Sequence, residues 1–344
     1  MKHIALLGCL CLLAGGCSQP AEAPEPIPVI FDTDPGNDID DVLALQMLLN
    51  YHKEGRIDLR GIGIGKMYPR AIEYVDAYCR HNGLNDIPLG YVYDGANPLP
   101  EAGDYVIGTL DTLIGGKPIL TPARSIADDI PEGYKLYRRL LAEAADSSVV
   151  FIAVGPYTNV ARLLESPGDE FSPLTGRELA ARKVRLLSVM GGTYNDDVFN
   201  NPEWNVMQDL GASRTLFAEW PTPLVASGSE VGTRILYPAS SVLRDFEGGE
   251  AAPLCVSYKI YKPMPYDRPT WDLTSVLYAI EPEGGCLGVS EPGTITIAED
   301  GYSRFTPDPA GRHRYMTIAP EDIPGAAARL VESCTGRRAE NNPN

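Results

Sequence analysis

Positive charge is scarce in this chain of 344 residues: 29 lysines and arginines stand against 46 aspartates and glutamates, for a formal net charge of -17. That balance argues against partners such as nucleic-acid backbones or anionic membrane surfaces, although a small uncharged ligand would feel little of it. Histidine is also rare, with four in the chain. His52, His81 and His313 fall in no motif and are expected at the surface. No Cys-x-x-Cys pair is present to suggest zinc. The sequence shows no internal repeat with a period of roughly 20 to 50 residues and no long low-complexity tract, which excludes a solenoid or propeller. Aromatic residues are modest at 8%, whereas the 44% hydrophobic content can bury one large core.

What the chain does have is aspartate, concentrated in one place. In Pro28-Val29-Ile30-Phe31-Asp32-Thr33-Asp34-Pro35-Gly36-Asn37-Asp38-Ile39-Asp40-Asp41-Val42-Leu43, five aspartates follow a short apolar run within ten residues. Residues 29–31 read as a buried strand, Pro35-Gly36 as the turn that ends it, and Asp40-Asp41 as the first turn of a helix. The acids therefore gather at the carboxyl end of a strand, the edge where open α/β sheets bind ligands. Carboxylates this close repel one another unless they are protonated or share a cation, and a hard divalent ion with oxygen ligands is the simplest answer. Turn preference and helix capping by Asp40 explain one or two of these acids but not five. A haloacid-dehalogenase-like phosphatase also sets Asp-x-Asp after an apolar strand. It wants Thr or Val soon after the second Asp, where this chain has Pro35-Gly36, so it ranks below a metal-bound hydrolase.

The remaining pattern alternates strands and helices. Strands are expected at 59–65, 87–92, 149–155, 184–189 and 224–226, and helices at 71–81, 134–145, 202–218, 240–246, 256–261, 271–280 and 326–333. Residues 94–131 read as a long surface excursion. Two late β-like runs, 294–298 and 315–319, read as a hairpin-like appendage. The expectation is one α/β domain over 28–335, with an open, mostly parallel central sheet flanked by helices, a small C-terminal β appendage and a disordered tail at 336–344.

The first residues read as an export signal, because Lys2 and His3 precede an apolar segment too short to span a bilayer. Leu13-Ala14-Gly15-Gly16-Cys17 resembles a bacterial lipoprotein cleavage box, which implies a lipidated Cys17, and Ser18 after it favours the outer membrane. A soluble secreted protein cut nearby is the alternative. Residues 18–27, rich in Pro, Ala and Glu, then form a tether. Cys79, Cys255, Cys286 and Cys334 remain after processing. Export permits up to two disulfides among them, and buried free thiols are the simpler expectation.

Taken together, four separated stretches resemble the inosine-uridine-preferring nucleoside hydrolase family over residues 28–279. Members begin with Asp-x-Asp-Pro-Gly, one residue, then Asp-Asp before an apolar helix. Asp32-Thr33-Asp34-Pro35-Gly36 matches the first half, and Asp40-Asp41 matches the second after two extra residues, which leaves the place of Asp38 open. The resemblance implies a calcium ion held by Asp34, Asp41, the carbonyl of Thr158 in Gly155-Pro156-Tyr157-Thr158-Asn159, and Asp272 in Trp271-Asp272-Leu273. It implies hydrolysis of an N-ribosyl bond with Asp34 as the base, and ribose recognition by Asp40 and by Glu203 and Asn205 of Glu203-Trp204-Asn205. Taken alone, Thr158 could be only a helix-start residue, Asp272 only a cap, and Glu203 only a favourable charge at a helix start.

Three departures concern the base end of the site. Trp271 stands where several members carry a histidine that protonates the leaving base, and it could stack on a purine instead. Lys66 stands where the family often has Asn; Lys66, Tyr266 or Arg268 could approach the base. The Asn that precedes the Glu-aromatic-Asn segment has no clean counterpart, with Asp197 at that distance and Asn200 and Asn201 closer. The implied partner is a small nucleoside or ribosyl substrate, with no nucleic acid and with membrane contact only through a lipid anchor. A non-catalytic, calcium-dependent sugar-binding lipoprotein is the competing class. Members of the family form dimers or tetramers, and no stretch of this sequence identifies an interface.

Overall fold

The computed structural model describes residues 25–98, 102–194, 201–284 and 286–337. The export signal, Cys17 and most of the expected tail lie outside them. The first strand of the central sheet, β1 (Ile27–Thr33), is followed by β2 (Ile57–Ile64) and β3 (Leu89–Tyr91). Across the ten-stranded sheet the order runs 303–307, 293–297, 313–317, 224–227, 184–190, 149–153, β1, β2, β3, with the short strand Gly288–Val289 paired to 313–317 off this path. Pairing is parallel from β3 through 313–317, and only the far edge is antiparallel.

The apolar runs explain this order. A strand of a parallel sheet is covered on both faces, so it reads as a continuous hydrophobic stretch. Val149–Ala153 is buried at every position. Alternate residues divide between two cores. Val29 and Phe31 of β1 join Val150 and Ile152 on one face, whereas Ile30 joins Phe151 on the other. The first face packs against helices Asp40–Lys53, Arg70–His81, Trp271–Ile280 and Ile323–Thr335. The second packs against Gly133–Glu143, Thr158–Glu165, Gly176–Lys183 and Leu210–Glu219.

Several elements differ from expectation. The excursion contains the helix Tyr105–Leu110, started by the Asp104 carboxylate, which accepts from the Ile107 amide at 3.1 Å. Helix Gly176–Lys183 carries a capping box between Thr175 and Glu178. The single helix expected at 202–218 is two, Trp204–Gln208 and Leu210–Glu219, because Asp209 leaves helical geometry and its carboxylate accepts from the Ala212 amide at 3.0 Å. The C-terminal β element is present and continuous with the main sheet. Gly293–Ile297 forms its hairpin with Ser303–Pro307, while His313–Thr317 pairs parallel with Leu224–Ser227. His313 is therefore buried rather than at the surface: its Nδ1 accepts from the Ile295 amide at 3.0 Å. Cys79, Cys255 and Cys334 are buried free thiols, and Cys286 is a half-buried one.

Candidate active site

β1 and Val149–Ala153 are neighbours at the middle of the sheet, and their carboxyl ends open on the same side. From β1 the chain turns through Pro35-Gly36 and enters the helix Asp40–Lys53. The Asp41 carboxylate closes that turn by accepting from the Asp34 amide at 3.0 Å and from the Thr33 hydroxyl. Asp34 lies against Gly155, just past the neighbouring strand. A methyl group at Gly155 would sit 2.4 Å from Asp34 Oδ1, so only glycine admits this carboxylate. Behind it, Asp32 accepts from the Tyr137 hydroxyl and from Asn159 Nδ2 at 3.0 Å.

Asp40 does not cap its helix: the N-cap position is Ile39 and no side chain caps it. Its Oδ1 instead accepts from Arg268 Nε at 3.4 Å and Nη2 at 3.2 Å, and its Oδ2 from the Asp272 amide at 3.2 Å. That amide belongs to the helix Trp271–Ile280, whose N-cap is Thr270, so Asp272 is not a cap either. Glu203 does both things considered for it. It caps Trp204–Gln208 by accepting from the Asn205 and Val206 amides at 2.9 and 3.0 Å, and it also lines a cavity. Asn205 Nδ2 donates to the Val154 carbonyl at 2.8 Å, tying the Glu-Trp-Asn segment to the sheet's central edge.

These elements enclose a cavity of about 220 Å³. Asp34, Asp38, Asp272 and Glu203 supply carboxylates to its lining, and Asn37, Asn201 and Asn205 supply amides. Two indoles, Trp204 and Trp271, supply ring surface. Trp271 is fixed by donation from Nε1 to the Ser229 carbonyl and to Thr233 Oγ1, both at 3.0 Å. Among the described residues the lining omits Asp40, Asp41, Thr158 and Lys66. Thr158 opens its helix and donates its hydroxyl to Asp209 Oδ2 at 2.6 Å. Lys66 is buried behind Asn37, to which it donates, and lies 5.2 Å from the centre of the Tyr68 ring. Tyr266 turns away, its hydroxyl donating to the Tyr258 carbonyl at 2.9 Å. Asp197 and Asn200 lie outside the described residues.

The electrostatics follow from crowding. Burial, then the Asp41 charge, pushes the Asp34 carboxyl well above the usual carboxylate range, with Lys66 opposing the rise. Burial likewise raises Asp40, Asp41 and Asp272, each with a further contribution from neighbouring aspartates. It pushes Asp32 and Glu203 up to about 7. If all ionised, Asp34, Asp38, Asp40, Asp41 and Asp272 carry five negative charges against two positive ones on Lys66 and Arg268, a surplus of three. Carboxylate oxygens of Asp38, Asp40 and Asp272 lie within 4.8 Å of one another. An all-oxygen donor set with surplus negative charge fits a hard divalent cation. The sequence left Asp38 open; the structure puts it in the cavity wall.

Comparison with known proteins agrees with this geometry. Residues 29–308 match the family model described as inosine-uridine preferring nucleoside hydrolase. The pyrimidine-specific ribonucleoside hydrolase RihA of Citrobacter koseri is 28% identical over 212 residues, covering 60% of this chain and 61% of that protein. The purine-preferring ribonucleoside hydrolase from Gardnerella vaginalis superposes with a TM-score of 0.66 at 18% identity, covering 90% of this chain and 98% of the other. The inosine-uridine preferring nucleoside hydrolase from Bacillus anthracis gives 0.63 at 18% identity, covering 89% and 99%. These two structures share the fold, and the family match spans the acidic turn, the Glu203 segment and Asp272. The chain belongs to the inosine-uridine preferring nucleoside hydrolase family.

Proposed function

We propose that this protein hydrolyses the N-ribosyl bond of a nucleoside, with calcium held in the acidic cluster. The observation that carries the reading is one cavity in which Asp34, Asp38 and Asp272 meet Glu203, Asn205 and two indoles. Asp34 and Asp272, with Asp41 and the Thr158 carbonyl that the family pattern implies, would hold the ion. When bound, it supplies a fixed positive charge that acidifies water and orders sugar hydroxyls.

The chain's own groups do the rest. Asp34, held in place by Gly155 and by the hydrogen bond its backbone amide donates to Asp41, accepts a proton from water. The water oxygen bonds to the anomeric carbon as the bond from that carbon to the base nitrogen breaks, and the base departs with the bonding pair and takes up a proton. Positive character builds on the sugar ring, and the surrounding carboxylates stabilise it. Glu203 and Asn205 accept sugar hydroxyls, which must be paired when buried. Asn205 keeps its Oδ1 for this because its Nδ2 is committed to Val154.

No histidine lines the cavity among the described residues, and Trp271 and Trp204 supply the surface for the base. The relatives' names differ in base, one pyrimidine-specific and one purine-preferring. On the sequence of its leader alone, we also propose export as a lipoprotein anchored through Cys17; palmitate labelling lost in Cys17→Ala tests that. The test of the activity is release of free base and reducing sugar across purine and pyrimidine nucleosides with calcium present. Sugar release supports hydrolysis, whereas calcium-dependent ribose binding without release would favour a binding protein.

A further inference from the structure

The C-terminal hairpin, expected as an appendage, reaches the wall of the cavity. Three strands of the sheet stand between its outer strand Ser303–Pro307 and Val184–Met190. The Ser303 hydroxyl nevertheless meets the segment that leaves Met190: it accepts from the Thr193 amide and donates to the Thr193 carbonyl, both at 2.8 Å. Thr193 lies outside any strand or helix, so this one hydroxyl supplies the partners that a sheet would otherwise give its backbone. Two further contacts join the same parts. The Tyr194 ring stacks on Tyr315, with ring centres 5.0 Å apart. The hairpin turn also presses on the Glu203 segment, where a methyl group at Gly301 would sit 2.1 Å from Met207 Sδ and 3.2 Å from Pro202 Cβ.

What Ser303 holds touches both ends of the site. The Gly192 amide donates to Glu203 Oε2 at 3.3 Å. The Gly192 carbonyl accepts from the Ser229 amide at 3.0 Å, and the hydroxyls of Thr193 and Ser229 share a hydrogen bond of 2.9 Å. Ser229 lines the cavity, and its carbonyl is one of the two acceptors that fix the Trp271 indole. Gly192 has a φ of 83°, a conformation that favours glycine, and without a side chain of its own it is placed by the bonds around it.

We propose that the C-terminal hairpin is part of the substrate site and that Ser303 is a positioning residue, which clamps Thr193 so that the Gly192 amide stays on Glu203 and Ser229 stays on Trp271. This rests on the reading of Glu203 as a sugar ligand given above. Removing the hydroxyl takes both partners from the Thr193 backbone, and the Gly192–Thr193 pair then shifts to find others. Glu203 keeps the Asn205 and Val206 amides but loses the one that reaches it from across the cavity. A contact made to the sugar before and throughout the reaction is uniform binding, so its loss falls on KM more than on kcat.

The test compares the full-length wild type with Ser303→Ala, Ser303→Thr and Ser303→Val, each checked for fold by circular dichroism. Steady-state hydrolysis of nucleosides with calcium present is read beside nucleoside binding by tryptophan fluorescence. Ser303→Ala is expected to raise KM and weaken binding by about tenfold, with kcat changed by less than about threefold. Ser303→Thr keeps the hydroxyl and should stay near the wild type. Ser303→Val has the shape of threonine without the hydroxyl and should behave as Ser303→Ala, which it replaces if that variant fails to fold. Arg304→Ala is the control, because Arg304 is exposed on the other face of the same strand; its KM should be unchanged.

A lowered Tm with unchanged KM in Ser303→Ala would make the hairpin a packing element only and overturns the proposal. Equal KM in the threonine and valine variants overturns it too. If the wild type binds nucleosides without releasing sugar, the hydrolytic reading falls, and the ranking of the same variants is read from binding alone. A wild type that neither turns over nor binds nucleosides overturns both readings.

Discussion

Substituting Gly155 by alanine tests how Asp34 is held. The new methyl carbon would lie 2.4 Å from Asp34 Oδ1, 2.7 Å from its Cγ and 2.8 Å from its Cβ. An ordinary carbon-oxygen contact is roughly 3.5 Å, so the carboxylate must retreat by about 1 Å. Gly155 is not among the positive-φ glycines, so the backbone tolerates alanine and the effect is steric. A displacement of about 1 Å at a reacting group costs on the order of 100-fold in rate. Overpacking of this kind costs about 1–3 kcal/mol, a fall in Tm of a few degrees for a chain of this size. The matched control is Gly61→Ala, whose methyl would meet Leu140 Cδ1 at 2.7 Å, the movable end of a core side chain. Steady-state nucleoside hydrolysis, calcium calorimetry and thermal melts on both variants give the answer. Gly155→Ala is expected to lose about 100-fold in kcat and to bind calcium more weakly, whereas Gly61→Ala loses stability with kcat unchanged. A Gly155→Ala protein with wild-type kcat and calcium affinity would refute the placement of Asp34.

Three further outcomes follow from the same geometry. Asp32 and Glu203 have carboxyls raised by burial to about 7 from ordinary values of 3.8 and 4.5. Their contribution to stability is complete below about pH 4 and lost as pH rises through 7. Melts in chelator should therefore show the Tm falling between pH 5 and pH 8, with a shallower fall in Glu203→Gln; a flat profile would contradict the burial. Trp271→Ala should raise KM for nucleosides by about fivefold, with Trp271→Phe keeping most of the affinity, as a stacking contact worth about 1 kcal/mol requires; initial-rate kinetics decide it. Arg138 is buried, pairs with Asp169 at 2.5 and 2.9 Å, and donates to the Ser172 and Leu174 carbonyls. Removing it strands these partners, so Arg138→Ala should cost about 3–5 kcal/mol in denaturant unfolding and leave KM unchanged.

The sheet was legible because its strands are buried on both faces and read as apolar runs, as Val149-Val150-Phe151-Ile152-Ala153 does. What escaped was short or marked by polar signals rather than periodicity. Helix Gly176–Lys183 is announced by Thr175 and Glu178, a capping box with only Leu179 and Ala180 fully buried behind it besides its first glycine. Strand Ser303–Pro307 has no fully buried residue and so no apolar face to detect. In the site, the aspartate run and the Glu203 segment were visible as local patterns. The division between Asp38 and Asp40 was not, because it depends on Arg268, 228 residues from Asp40 along the chain. His313 misled for the same reason: nothing near it in sequence shows that its strand enters the main sheet beside Leu224–Ser227.

The most direct test of the central claim pairs the wild type with Asp34→Asn in a sugar-release assay, run with calcium, then with chelator, then with calcium restored. Release that stops with chelator, returns with calcium, and falls about 1000-fold in a folded Asp34→Asn protein is the expected result. Release that ignores chelator, or an Asp34→Asn protein that turns over like the wild type, would contradict it.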